Sequence, residues 1–392
     1  MSAWRYTLLS GAGLACALPG FFVAACATVD ETASLDPEKT DSVVPERDAG
    51  GADGAVDSES CSGSDCEFFP AECEPDALCP GGLFSADPAV GADWRARIET
   101  IRARSATDAW VVGTVGMAAH FDGTDWKSVD VGTYESLAHL WLADGGELAF
   151  GTVDRVFSRG LGPGEDDPSP DGWSKRGKVT PPTGASKNVT AAWGRTGSST
   201  MWVATDAEVW RLDASGTTLT PRAGLTKAVC TSLPCKWLRA LDGTSPNVVW
   251  GVGETGAAIR ITNAEGDSPT VEVMNPLAWS TLNGVWAVSD TEAWAVGARG
   301  LVIHNVGASF GWMKMDVPTD EHLYAVAGSS SSDVWAVGDK GVVLHYDGAT
   351  WSRVKVAAIG NRRPELLSVW VPEPGKVWIG GHGVLLSLGG KR

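Results

Sequence analysis

From residue 94 onward, apolar and polar positions recur in a fixed order. A short apolar run leads to a loop and then to a Val/Trp-rich run ending in Val-Gly. After these come a Gly-containing turn, three apolar residues, His, an aromatic, Asp-Gly and Trp. The fullest copies are Asp108–Trp126 and Asp333–Trp351. The aromatic of the second run falls at Trp110, Phe150, Trp202, Trp250, Trp294, Trp335 and Trp378. A period of roughly 40–50 residues fits the four-stranded blades of a propeller. The runs are short, rich in Val and Trp, and interrupted by Gly, Asp, Ser or Asn, which is strand-and-turn punctuation. No long stretch shows apolar residues at helical spacing.

Each unit reads as four strands. Strand A begins at Ile98, Leu137, Val189, Leu238, Leu282, Leu323 and Leu366 in the successive units. In the sixth unit, strand B carries Val334–Gly338, and Asp339-Lys340 before Gly341 forms a tight turn that needs positive φ. Strand C is Val342–Tyr346, Asp347-Gly348 turns the chain, and strand D starts at Trp351. The seventh unit stops after strand C. Upstream, Gly91-Ala-Asp-Trp94 looks like Gly123-Thr-Asp-Trp126, so the Trp94 segment is expected to supply the missing strand and close the ring. The expected fold is all-β: a seven-bladed β-propeller over residues 81–392, closed by an N-terminal strand and preceded by a disordered tether. The second and third units are degenerate, so six and eight are the other blade counts.

The repeated tryptophans are expected to pack between blades. A carbohydrate-stacking platform better suits loop aromatics such as Trp279 or Tyr134.

Residues 1–26 read as an export signal: Arg5, an apolar core over Leu8–Ala25, then small residues. Val23-Ala24-Ala25-Cys26 resembles a bacterial lipobox, which makes Cys26 the expected lipidation site and new N-terminus. A second acyl chain would give stable membrane attachment. Ala27 in place of Asp points to the outer membrane. An ordinary signal peptide and a transmembrane anchor are the alternatives.

Charge then separates the chain into parts. The net charge is −17, and residues 27–80 hold fifteen acidic and two basic residues. Residues 27–60 have too few large apolar side chains to order themselves and read as an acidic tether. Residues 81–392 hold 33 acidic and 28 basic residues, with no phosphate-binding footprint, so nucleic acid is not an expected partner. In an exported chain, Cys61, Cys66, Cys73 and Cys79 within 61–80, and Cys230 with Cys235, read as disulfides. The first four allow three pairings. Their spacing lacks a C-x2-C pair and a nearby His, so no metal site is expected.

The units from Trp94 to Leu388 resemble WD40/YVTN/BNR-like repeat propellers, nearest to the photosystem II assembly-factor type and to Asp-box repeat proteins. The Asp-box hairpin appears here as Asp122-Gly-Thr-Asp-Trp126 and Asp347-Gly-Ala-Thr-Trp351, one residue short and without its leading Ser. The resemblance implies a structural role for Asp122, Trp126, Asp347 and Trp351, the Asp accepting backbone N–H groups in the turn. Sialidases share the repeat type and use a Tyr nucleophile with three Arg. Tyr134, Tyr324 and Tyr346 are the tyrosines after the signal, and no Arg triad can be assembled around them.

His120, His304 and His345 share one position on strand C and are expected to be structural. His139 and His382 have no partner at ligand spacing. No phosphate loop, nucleophile elbow, H-E-x-x-H or calcium loop is present, so neither catalysis nor a cofactor is expected. Binding is expected on the face where the D–A loops and B–C turns emerge, because loops on a rigid scaffold usually carry binding function. Candidate residues are Tyr134, Arg299, His322, Lys340, Arg362, Arg363 and His382. Arg299, Lys340 and His382 are expected to align and, with Arg362 and Arg363, to form a basic rim. The expected protein is a monomeric envelope lipoprotein that binds a protein or glycan. The alternatives are an exported glycan-acting hydrolase or lyase, and a structural scaffold of an envelope complex.

Overall fold

A computed structural model describes residues 65–85, 91–182, 186–307 and 311–390. The signal, Cys26, the 27–60 tether and Cys61 lie outside the described residues. Seven four-stranded antiparallel sheets account for nearly all the regular structure. Blade 1 runs Ile98–Ser105, Asp108–Gly113, Ala118–Phe121 and Trp126–Ser128 as strands A to D. Blades 2 to 6 repeat this order, with A strands beginning at His139, Val189, Leu238, Leu282 and Leu323. Blade 7 takes Leu366–Glu373, Lys376–Gly381 and Val384–Leu388 as strands A to C. The A strands of all seven blades line one central channel, so the architecture is a closed seven-bladed β-propeller.

The ring is closed by an N-terminal strand, but not by the Trp94 segment. Leu78–Pro80 forms the fourth strand of blade 7, pairing Leu78 with Leu388 and Cys79 with Ser387. Strand D is only three residues long in most blades, and in blades 1, 2, 5 and 6 it opens on a Trp opposite the end of strand C. Trp126 and Trp351 fill that place opposite Phe121 and Tyr346. Leu78 fills it in blade 7, so the closing strand lacks the indole that marks its counterparts. Trp94 instead lies half-exposed beside the B–C turn of blade 7, where the Gly383 N–H donates to the Ala96 carbonyl at 2.9 Å.

A second correction concerns blade 2. The Gly that ends strand B lies against the carbonyl of the residue before strand A, as Gly113 does with Arg97 and Gly338 with His322. In blade 2 this is Gly151, against Ser136. Counting back from that Gly, Leu148 occupies the place of Trp110, and Phe150 matches Val112. The ring of strand B side chains is therefore Trp110, Leu148, Trp202, Trp250, Trp294, Trp335 and Trp378, all buried.

These side chains join the blades. A strand D indole of one blade stands edge-on to the strand B indole of the blade before it: Trp126 to Trp378, Trp173 to Trp110, Trp312 to Trp250, and Trp351 to Trp294, at 5.4–5.8 Å. Nearer the axis, Trp141, Trp193 and Trp286 lie against Gly194, Gly243 and Gly328 of the next blade. A Cβ at Gly194 would stand 2.6 Å from Trp141 Nε1. A large ring on one blade is thus matched by a missing side chain on its neighbour.

The repeated histidines are structural. His120, His304 and His345 stack on Trp110, Trp294 and Trp335 at 4.2, 3.7 and 4.3 Å. Each Nε2 meets a carboxylate at the start of strand B: Asp108, Glu292 and Asp333, at 2.8–3.0 Å. Arg211 and Arg260 take the same register position in blades 3 and 4, with their guanidinium groups over Trp202 and Trp250. The Asp-box role also holds. Asp122 accepts the N–H groups of Thr124 and Asp125, and Asp347 those of Ala349 and Thr350.

Candidate binding face and central channel

In blades 1, 5 and 6 the B–C turn is fastened to the D–A loop that follows it, which places both on one face. The N–H groups of Gly116, Gly300 and Gly341 donate to the carbonyls of Glu135, Glu321 and Pro364 at 2.7–2.8 Å. In blades 1, 4, 5 and 6, two turn residues are left-handed: a variable residue (Val115, Thr255, Arg299, Lys340) and then Gly. The positive φ therefore lies at Lys340-Gly341, one residue later than expected. His382 does not align with Arg299 and Lys340. Its N–H donates to the Glu365 carbonyl, as Asp339 does to His322, so it occupies the Asp339 position of a shorter turn.

The expected binding residues divide into separate groups. His322 Nδ1 accepts the Arg299 N–H at 3.3 Å, and Lys340 pairs with Glu321 at 2.9 Å. Arg362 donates to the His382 carbonyl at 2.8 Å. Arg363 lies 3.4 Å from Asp65 and 3.6 Å over the Phe69 ring, held by the segment that precedes the closing strand. Two cations of the rim, Lys340 and Arg363, are thus paired with carboxylates of the chain itself. Tyr134 stands apart, between blades 1 and 2, and is 89% exposed.

More informative are apolar residues that were not singled out together. Trp94, Val115, Tyr134, Val229, Trp237, Leu277 and Trp279 are all exposed, and all lie in D–A or B–C segments of this face. Trp279 and Leu277 are 91% and 78% exposed. Val115, Trp237 and Leu277 are also left-handed, which is rare for bulky side chains and is tolerated only where the surroundings impose it.

The channel, about 660 Å³, opens beside these loops. Its wall departs from the repeat in three places, by the small Ala327 in blade 6 and by charged side chains in blades 1 and 4. Where blades 2, 3, 5 and 7 carry Trp141, Trp193, Trp286 and Trp370, blade 1 carries Arg102 and blade 4 carries Asp242. Asp242 accepts the Ala287 N–H at 2.8 Å and a hydrogen bond from Trp193, and it interacts with Arg102. Burial raises its pKa to about 6 despite these partners. Burial also lowers His139 to about 4, with the Arg102 charge adding to the effect, and lowers Arg102. Burial first, then Asp339, raises Tyr324 at the channel wall to about 12. Among the described residues, no group of His, Cys, Asp and Glu side chains is arranged to hold a metal ion.

These shifts predict a pH response. Asp242 is raised in the fold, so its contribution to stability is present below about pH 4 and is lost as pH rises through 6. His139 is depressed, so its contribution is present above about pH 6.5 and is lost as pH falls through 4. Between pH 4 and 6 the two slopes oppose each other. His139→Gln is expected to expose a fall in stability of about 2–3 kcal/mol as pH rises across that window, and Asp242→Asn a comparable rise. Urea midpoints of the three proteins at several pH values test this, and three parallel curves would contradict it.

Two disulfides lie in the described residues, Cys73–Cys79 and Cys230–Cys235, and Cys66 is also disulfide-bonded. The first binds the closing strand. The second pins the loop between blades 3 and 4.

No family model matches the chain, and no curated protein matches it. Solved propellers do, at low identity. The chain resembles YCF48 bound to a D1 peptide (15% identity, TM-score 0.53, covering 75% of this chain and 92% of that one). It also resembles a catalytically inactive virginiamycin B lyase from Staphylococcus aureus with quinupristin (12%, TM-score 0.56, 76% and 95%). A third likeness is the WD40 propeller domain of Doa1 (11%, TM-score 0.53, 74% and 92%). At these identities the likeness establishes the propeller fold, including its similarity to the photosystem II assembly-factor and WD40 propellers.

Proposed function

We propose that this is a monomeric, non-catalytic binding protein of the cell envelope, lipid-anchored through Cys26 to the outer membrane, that takes a protein ligand on the D–A/B–C face. The observation that carries the reading is the collection of exposed apolar side chains there, above all Tyr134, Leu277 and Trp279. Exposed apolar surface of this kind marks interaction sites. A glycan is the alternative ligand, and Trp279 and Tyr134 would be its stacking platforms. The fold likeness to YCF48 bound to a D1 peptide agrees with a polypeptide ligand.

Photo-crosslinking amino acids placed at positions 134, 279 and 349 of the full chain test the face. Residues 134 and 279 are expected to crosslink to an envelope protein, and residue 349, in a C–D turn, is not. Crosslinking from residue 349 alone would reverse the assignment. Palmitate labelling of the native chain and of Cys26→Ala tests the anchor.

A second reading is a lyase or hydrolase acting in the channel. It is favoured by one observation: His139 is kept neutral and Asp242 partly protonated in the same cavity. Turnover of envelope glycans abolished by His139→Gln would establish it.

A further inference from the structure

Blade 4 presents several exposed apolar side chains on this face. Its B–C turn, Glu254–Gly256, lies between two apolar arms. On one side the Trp237 carbonyl accepts the Glu254 N–H at 3.2 Å. On the other, the Ala278 carbonyl lies so close to Gly256 that a Cβ there would be 1.9 Å away. Trp237, Leu277 and Trp279 therefore flank one turn, and all three are exposed. Trp237, Thr255 and Leu277 are all left-handed, with φ of 56°, 55° and 54°.

Both arms are fixed from below. The Trp237 arm follows a short helix, Lys227–Ser232, and the Cys230–Cys235 disulfide, whose cysteines are both buried in the blade 3–4 core. On the other arm the Leu277 N–H donates to Asn275 Oδ1 at 2.9 Å. The rings are thus held out in defined places, which lowers the ordering cost of binding. Large aromatics in such positions are the usual anchors of an interface.

Charge and chemistry indicate the occupant. Lys227 and Lys236 lie on the disulfide-pinned loop, and neither has a carboxylate partner among the described residues. Arg239 and Glu254 neutralise each other at 2.6 Å. The loop is therefore locally cationic on a chain of net charge −17. A sugar site surrounds its aromatic ring with polar side chains. Here Leu277, Pro276 and Val229 accompany the indoles, and the oxygen of the nearby Asn275 side chain is already engaged.

We propose that blade 4 anchors a polypeptide segment bearing a large apolar side chain beside Asp or Glu, with Trp237, Leu277 and Trp279 contacting the apolar group and Lys227 and Lys236 attracting the acid. The proposal rests on the reading of this face as the ligand face, and names its anchor and the chemistry it selects.

The test selects binders from a random short-peptide display library on the immobilised full chain. Their affinities are then measured for the native protein and for Trp279→Ser, Trp237→Asn (a residue that accepts the left-handed backbone), Lys227→Glu/Lys236→Glu, Tyr134→Ser and Ala349→Arg. Unchanged melting temperatures certify the fold of each. Selected peptides are expected to place an aromatic or Leu next to Asp or Glu. Either Trp substitution should weaken them about ten-fold or more. The double Lys change should weaken them most at low salt, Tyr134→Ser should weaken them less than either Trp change, and Ala349→Arg, in a C–D turn, should have no effect.

The proposal would be overturned by no enriched sequence, by peptides indifferent to both Trp changes, or by retention of polygalacturonate in place of peptides through Trp279. Peptides lost with Tyr134→Ser but not with Trp279→Ser would remove blade 4 while leaving the face reading intact. Peptides that respond only to Ala349→Arg, on the opposite face, would remove both.

Discussion

A chain that begins at Gly81 is expected to lose most of its folding stability and to associate through blade 7. That truncation removes the closing strand Leu78–Pro80 together with Ala77 and Phe69, and Leu78, Ala77 and Phe69 are all buried. Full burial of a Leu or Phe contributes about 1.5–3 kcal/mol each, and a short-loop disulfide such as Cys73–Cys79 about 2 kcal/mol. The combined loss, about 5 kcal/mol or more, is comparable with the whole stability of many domains. It would also leave Val384–Leu388 as an unpaired sheet edge, which templates association. The segment does more than pair. Phe69 is covered by the Arg363 guanidinium at 3.6 Å, and Val356 donates its N–H to the Phe68 carbonyl. Urea unfolding and sedimentation of the shortened chain check the outcome. A stable monomer with an unchanged midpoint would show that closure lies elsewhere.

Trp294→Ala is expected to cost about 3–5 kcal/mol, the range for truncating a fully buried Trp. Trp294 is 0% exposed. It stacks on His304 at 3.7 Å and meets Tyr346 at 5.0 Å and Trp351 of the next blade at 5.6 Å. One substitution therefore opens a cavity at a blade junction and deprives three rings of their partner. Trp279→Ala, by contrast, removes the same side chain from a site 91% exposed, and its effect on stability is expected within about ±0.5 kcal/mol. Equilibrium denaturation of the two variants side by side separates indoles that build the ring from indoles kept outside it. Equal losses would contradict the division.

The repeat was legible because its function is packing. A buried Trp at one register position, a His over it and an Asp in the C–D turn leave the same residue types in successive units, and the structure gives each the role those types suggest. Where a role is filled by a different residue type, the pattern goes silent. Leu78 does the work of an indole in the closing strand, so the Trp94 segment, which has the indole but not the position, was the better match by eye. Arg211 and Arg260 cover their tryptophans as histidines do elsewhere, and the change of residue type hid the equivalence. Phe150 misled for the opposite reason: it is aromatic, but Gly151, set by its close approach to Ser136, marks the true register.

The functional face was legible as a set of loops and not as a set of residues. D–A and B–C segments were identifiable from the strand order alone. Which of their side chains remain free depends on partners distant in sequence. Glu321 occupies Lys340, and Asp65 with Phe69 occupies Arg363, so two cations of the basic rim are engaged from within the chain. The channel cluster has the same origin. Arg102, His139 and Asp242 belong to three blades and meet only because the ring closes.

The most direct test of that closure is amide hydrogen exchange of Val384–Leu388 in the full-length protein. With Leu78–Pro80 paired along it, this strand is interior to its sheet, and its amides are expected to exchange as slowly as those of the strand B core around Trp378. Rapid exchange of alternate amides, as on an open edge, would contradict a disc sealed by the strand at Leu78.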